Sequence, residues 1–134
     1  MLAFHGDELD PDKVSEALGR SPTMHARHGD VVTSSLGMGA GQAKTGHWSL
    51  RTEWGADQAP DDKIKTLLTS LTGDTRTWLT LARLYRGSLV CYIEPAGGRQ
   101  ALRLSSEVLA DIAARGLSFT LIMERKAAEQ VLDR

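Results

Sequence analysis

The chain has 134 residues, of which 41% are hydrophobic and 25% charged, and its formal net charge is -1. That length can bury a core without disulfide or metal staples, and the near-neutral charge leaves no electrostatic footprint for nucleic acid or an anionic membrane. The single cysteine, Cys91, excludes an internal disulfide framework and suits a reducing cytoplasm.

"MLAFHGDELD" opens the chain without a basic start or a long apolar run, so no signal peptide is expected. No apolar run approaches the roughly 20 residues of a membrane span. Leu2 to His5 alternates apolar and polar residues and reads as a short strand. Asp10 and Pro11 then start a helix, the first as a side-chain cap and the second at the first helical position. Val14, Ala17 and Leu18 share one face of it, and Gly19 and Pro22 end it. "TMHARHGDVVTSSL" holds one or two short extended pieces, the second around Asp30 to Thr33. A glycine-rich stretch runs to Gly46. "HWSLRTEW" reads as a strong strand, with His47, Ser49, Arg51 and Glu53 on one side and Trp48, Leu50, Thr52 and Trp54 on the other.

A helix is expected from about Pro60 to Leu71, with Asp61 and Asp62 in its first turn and Ile64, Leu67, Leu68 and Leu71 as its apolar stripe. "GDTRTWLTLARLYRG" reads as a second helix, carrying Trp78, Leu81, Ala82 and Tyr85 on one face and ending at Gly87. Ser88 to Glu94, the turn Pro95 to Gly98, and Arg99 to Leu104 read as a β-hairpin. "SSEVLADIAARG" is a helix capped by Ser105 or Ser106 and closed by Gly116. "LSFTLIM" is the last strand. The order β-α-β-β-α-α-β-β-α-β implies an α+β fold with a mostly antiparallel sheet and helices packed on one face. Residues 1–124 form one domain, and 125–134 a terminal helix or tail. "DPDKVSEALGRS" and "SSEVLADIAARGLS" echo each other faintly, as two similar halves around one sheet would.

"FHGDELDPDKVSEALGRSPT", "HGD", "TGHWSLRTE", the two-helix middle and "LSSEVLADIAARGLSFTLIM", in that order, resemble the bacterial domain-of-unknown-function family 4279. The resemblance covers about Phe4 to Met123. It implies no activity, and it makes the motif residues structural: Asp10 and Pro11 as helix start, Gly19 and Pro22 as helix stop, Trp48 as core. The chain departs from the family pattern in its long glycine-rich loop and in Met123, where an aromatic is expected.

"LGMGAGQAKTGHWSL" has the vocabulary of a phosphate-binding loop, but Met38 and Ala43 stand where that motif needs glycine before Lys44-Thr45. An extended segment follows, where a helix N-terminus should face the phosphates. His5, His25, His28 and His47 lack the ordered cysteine or carboxylate partners of a zinc site. Asp7, Glu8, Asp10 and Asp12 lack the glycine and distal glutamate of a calcium loop. Cys91 lies mid-strand between Leu89 and Ile93, as a buried inert thiol would. Neither a metal nor a cofactor is expected. Trp48 and Trp78 fit core positions, and Trp54 lies at a strand end.

The remaining candidate is a surface. If helices cover one sheet face, the other presents His47, Ser49, Arg51, Glu53, Tyr92, Glu94, Arg99 and Arg103, with Lys44 in the loop beside it. Such a face is either simply solvated or binds. The expectation is a small cytoplasmic, non-catalytic protein that binds a protein partner, with immunity against a toxin as one version. The alternative is a small-molecule binder or enzyme that uses the same face with the 33–46 loop as a lid. A homodimer through the sheet is a further option.

Overall fold

The computed structural model describes residues 1–33, 40–52, 58–94, 98 and 101–124. The elements run β1 (Leu2–Gly6), α1 (Pro11–Leu18), β2 (Met24–Ala26), β3 (Val31–Thr33), β4 (Ala40–Gln42), β5 (Gly46–Leu50), α2 (Pro60–Thr69), α3 (Thr75–Leu84), β6 (Arg86–Ile93), α4 (Ser106–Ala114) and β7 (Ser118–Met123). The fold is α+β. Its main sheet has five strands in the order β2-β5-β1-β6-β7, antiparallel throughout except for the parallel pair β6–β7.

The helix ends follow from their sequence. The Asp10 side chain accepts from the Asp12 N–H at 3.0 Å, Pro11 fills the first position of α1, and Gly19 closes it at φ 79°. Ser105 rather than Ser106 caps α4, accepting from the Val108 N–H at 3.2 Å. Helix α2 has Ala59 at its cap position, so no side chain caps it. Its Asp61 serves another helix instead: the two carboxylate oxygens accept from the Ser105 N–H at 2.9 and 3.1 Å. The Ser105 side chain, and then its backbone N–H, hold the Asp61 carboxyl below the usual carboxylate range. A Lys65–Glu107 ion pair at 2.9 Å joins the same two helices.

Alternation along the strands sends Leu2, Phe4, Trp48, Leu50 and Leu89 to the helix side, where they meet Val14, Leu18, Ile64, Leu67, Trp78, Val108 and Ile112 in one core. Phe4 is its centre, with ring centroids 6.2 Å from Trp48 and 6.4 Å from Trp78. Both buried indoles keep their hydrogen bonds. Trp48 Nε1 donates to Ser15 Oγ of α1 at 2.9 Å, and Trp78 Nε1 donates to the Thr72 carbonyl at 2.8 Å. Gly87 pairs with Phe4, and a Cβ added there would stand 2.7 Å from the Phe4 ring and 2.8 Å from Leu117.

Four expectations need correction. Of the hairpin expected over Ser88–Leu104, the first strand is present within β6, the residues 95–97 and 99–100 lie outside the described ones, and the described part of the return, 101–105, is irregular rather than strand. Leu104 packs partly into the core, and the Ser105 N–H is taken by Asp61. Gly87 does not end α3, which stops at Leu84; it is a strand residue that makes room for Phe4. The strand expected over 47–54 ends at Leu50, where the Thr23 hydroxyl takes over and accepts from the Arg51 N–H at 2.9 Å. Part of the glycine-rich stretch is strand: β4 pairs with β3. Gly29 N–H donates to the Ala43 carbonyl at 2.9 Å and Ala43 N–H to the Asp30 carbonyl at 2.7 Å, which runs β2–β5 and β3–β4 into one long hairpin. Glu53, Trp54, Arg99 and the expected terminal segment 125–134 lie outside the described residues.

The two echoing helices occupy comparable places. Helix α4 links the parallel neighbours β6 and β7; α1 links β1 and β2, both antiparallel to β5 and hence parallel to each other.

Two stability outcomes follow. Gly87→Ala forces the Phe4 ring and Leu117 apart and should cost about 1–3 kcal/mol, whereas Gly73→Ala, with nothing within 4 Å of its added Cβ, should unfold close to the parent in urea. Ser15→Ala leaves the Trp48 N–H buried without its acceptor and should cost about 1–3 kcal/mol in the same measurement.

Candidate functional site

The face of the sheet turned away from the helices is built by register. Met24, Ser49, Ala3, Ser88 and Ser118 stand in one row across all five strands. His47, His5 and Arg86 form the row on one side. Arg51, Val90, Thr120 and Tyr92 lie on the other. Ala3 is 4%, Ser49 8% and Val90 7% exposed. Three side chains at the middle of the face are thus withdrawn from solvent. The Ser49 hydroxyl donates to the Met24 carbonyl at 3.5 Å.

Each wall has a defined pair. The Arg51 guanidinium carbon lies 5.9 Å from the centroid of the Tyr92 ring, and Tyr92 is 50% exposed. Thr23 holds the Arg51 backbone: besides accepting from its N–H, the hydroxyl donates to its carbonyl at 3.3 Å. At the other wall the His5 and His47 rings stack with centroids 6.1 Å apart and planes at 29°. Burial, then the charges of His5 and His25, hold the His47 imidazole below its ordinary value of 6.5. A His47 proton is thus disfavoured in the folded chain. Its linked stability is full above pH 6.5 and falls as pH drops through that value toward the folded pKa.

Of the sequence-expected residues, the structure brings His47, Ser49, Arg51 and Tyr92 onto this face. Lys44 is exposed in the connection between β4 and β5, and Glu94 is exposed just beyond β6. Arg103 stands elsewhere, in the irregular 101–105 segment and within electrostatic reach of Asp61. His5, Arg86 and Ser88 were missed as members of the face. The alternation that places Phe4 in the core sends His5 to the opposite side, so that signal was present in β1. Arg86 and Ser88 needed the β1–β6 register.

Below the Arg51–Tyr92 pair, a cleft of about 150 Å³ opens at the end of the sheet, lined by Arg51, Thr52, Lys63, Cys91, Tyr92 and Leu102 among others. Burial pushes the half-buried Cys91 thiol up from its ordinary value, so it is a poor nucleophile. Among the described residues no three His, Cys, Asp or Glu side chains stand together as a metal site, and no helix is long and apolar enough to cross a membrane.

In an NMR titration of the ring protons, His47 should titrate below 6.5, and His5→Ala should move it upward while leaving the part due to burial.

The chain belongs to the family described as domain of unknown function DUF4279, whose model matches residues 1–125. No curated protein and no solved structure matches it.

Proposed function

We propose that this member of a family without an assigned activity is a cytoplasmic, non-catalytic binding protein whose open sheet face docks a protein partner. The observation that carries the reading is the Arg51–Tyr92 pair, a cation over a half-exposed ring on the sheet face turned away from the helices. Tyrosine and arginine supply large, partly rigid contact area and are the side chains over-represented where interface energy concentrates. His47, His5 and Arg86 add hydrogen-bonding groups on the far wall, which suits orientation and selectivity more than raw affinity. A toxin as partner, with this chain as its immunity protein, is one form of the reading.

The test compares affinity captures from the native host, quantified by mass spectrometry and mapped by cross-linking. Tyr92→Ala and Arg51→Ala should each reduce the captured partner at least tenfold, the loss expected of hot-spot truncations of about 2 kcal/mol. Glu16→Ala, exposed on α1, should leave capture unchanged. A partner kept by the first two variants and lost with the third would place the interface on the helix side. Light scattering in the same series tells a heterologous partner from a second copy of this chain.

A further inference from the structure

We propose that the hollow around Arg86, where β6 and β7 begin, is a binding site for a small phosphate monoester. It lies at the other end of β6 from the Arg51–Tyr92 pair and does not rest on the protein-partner reading.

Charge segregation sets the sign of the ligand. The described strand positions of the open face, from Met24 on β2 to Ile122 on β7, include no aspartate or glutamate, in a chain that has 17 of them and a net charge of -1. The field over this face is therefore set by its cations. Arg20, Arg27 and Arg115 are committed to Ser70, to Asp10 and Asp12, and to the Asp111 carbonyl. Arg86 is exposed and makes no side-chain hydrogen bond or ion pair with any described residue. Asp7 lines the adjoining hollow together with Arg83 and Arg86, and pairs with neither.

Register sets the head group. Arg86 and Ser88 stand two apart on β6, and Ser118 and Thr120 two apart on β7. Ser88 is opposite Ser118, and His5 is opposite Arg86. Such neighbours are spaced by roughly 5–7 Å. A guanidinium, an imidazole and three hydroxyls thus surround one spot on the sheet. None of the three hydroxyls has a hydrogen-bond partner among the described residues, so all remain available as donors. A carboxylate offers two oxygens in one plane. A phosphoryl group offers three acceptor oxygens in different directions, which matches donors arriving from β1, β6 and β7, and its edge accepts two parallel N–H bonds from the arginine.

Shape sets the ester. The hollow measures about 500 Å³, of which an inorganic phosphate would fill a small part. Ala82 and Tyr85 complete one side of it. The Tyr85 ring lies against Gly6, where an added Cβ would stand 2.7 Å from it, so its position is set by packing. These two residues give a short organic stem an apolar surface beside the head group.

The experiment titrates the whole chain with phenyl phosphate at low ionic strength, followed by NMR of the backbone amides and of phosphorus. Saturable binding is expected, with shifts centred on residues 86–88 and 118–120. Inorganic phosphate should bind more weakly than the ester, and benzoate at least about tenfold more weakly. Arg86→Leu should weaken phenyl phosphate about tenfold, as loss of hydrogen bonds to a charged group does. Ser88→Ala and Ser118→Ala should each cost a few-fold. Arg76→Leu removes the same charge from an exposed position on α3 and should leave affinity unchanged. Melting curves show that each variant is folded. The proposal is overturned by absence of saturable binding, by shifts centred elsewhere, by benzoate binding as tightly as the ester, by inorganic phosphate binding as tightly as the ester, or by equal affinity in the folded Arg86→Leu and Arg76→Leu variants. The capture test reads Tyr92 and Arg51, and this one reads Arg86, Ser88 and Ser118 with a pure ligand, so either idea can fail while the other stands.

Discussion

Everything in this fold is arranged around one aromatic ring. Phe4 sits on the central strand, with Trp48 on the neighbouring strand on one side and Gly87 on the other. Trp78 approaches from α3. The two indoles extend the arrangement: Trp48 reaches α1 through Ser15, and Trp78 ties the α2–α3 connection to α3 through the Thr72 carbonyl. Buried aromatic N–H groups tolerate little displacement, since each needs its acceptor in place. Three rings thereby fix the sheet, two helices and a loop relative to one another. Gly87 is the space that lets the middle ring approach β6 closely.

Elements whose signals are local were readable before any coordinates. Asp10-Pro11 with Gly19 delimits α1, Ser105 with Gly116 delimits α4, and the alternation around Trp48 assigns the two faces of β5. Each rests on residues within one turn or one strand. The failures share a cause of another kind. Gly87 looks like a helix stop because glycine usually is one there, and only the Phe4 ring on a strand more than eighty residues away explains it. The 88–104 hairpin looks right because Pro95 to Gly98 are turn residues, yet the described part of its return, 101–105, is irregular and Leu104 packs partly into the core. Strand β4 contains Gly41 between Ala40 and Gln42, which gives no side-chain signal; backbone pairing to β3 makes it a strand.

The candidate site divides along the same line. His47, Ser49, Arg51 and Tyr92 were visible through alternation within single strands. Which of them become neighbours depends on β1 lying between β5 and β6, and this could not be read from spacing. The cleft was further from view, since Thr52, Lys63, Cys91 and Leu102 come from four separate segments and none belongs to a motif. Arg103, assigned to the face as part of an expected return strand, lies in the irregular 101–105 segment, within electrostatic reach of Asp61.

The central position of β1 also governs the order in which the molecule can assemble. Its Leu2 pairs with Leu50 and with Leu89, so β1 waits for partners that lie much later in the sequence. Distant pairing slows folding, because loop-closure entropy is spent before the contacts form. During that wait the nascent chain exposes Leu2, Phe4 and then Trp48. The segments able to form early are the local ones, above all the β2–β5 pair. Until β6 has emerged the sheet cannot close on both sides of β1, and the apolar surface of that strand stays exposed to association.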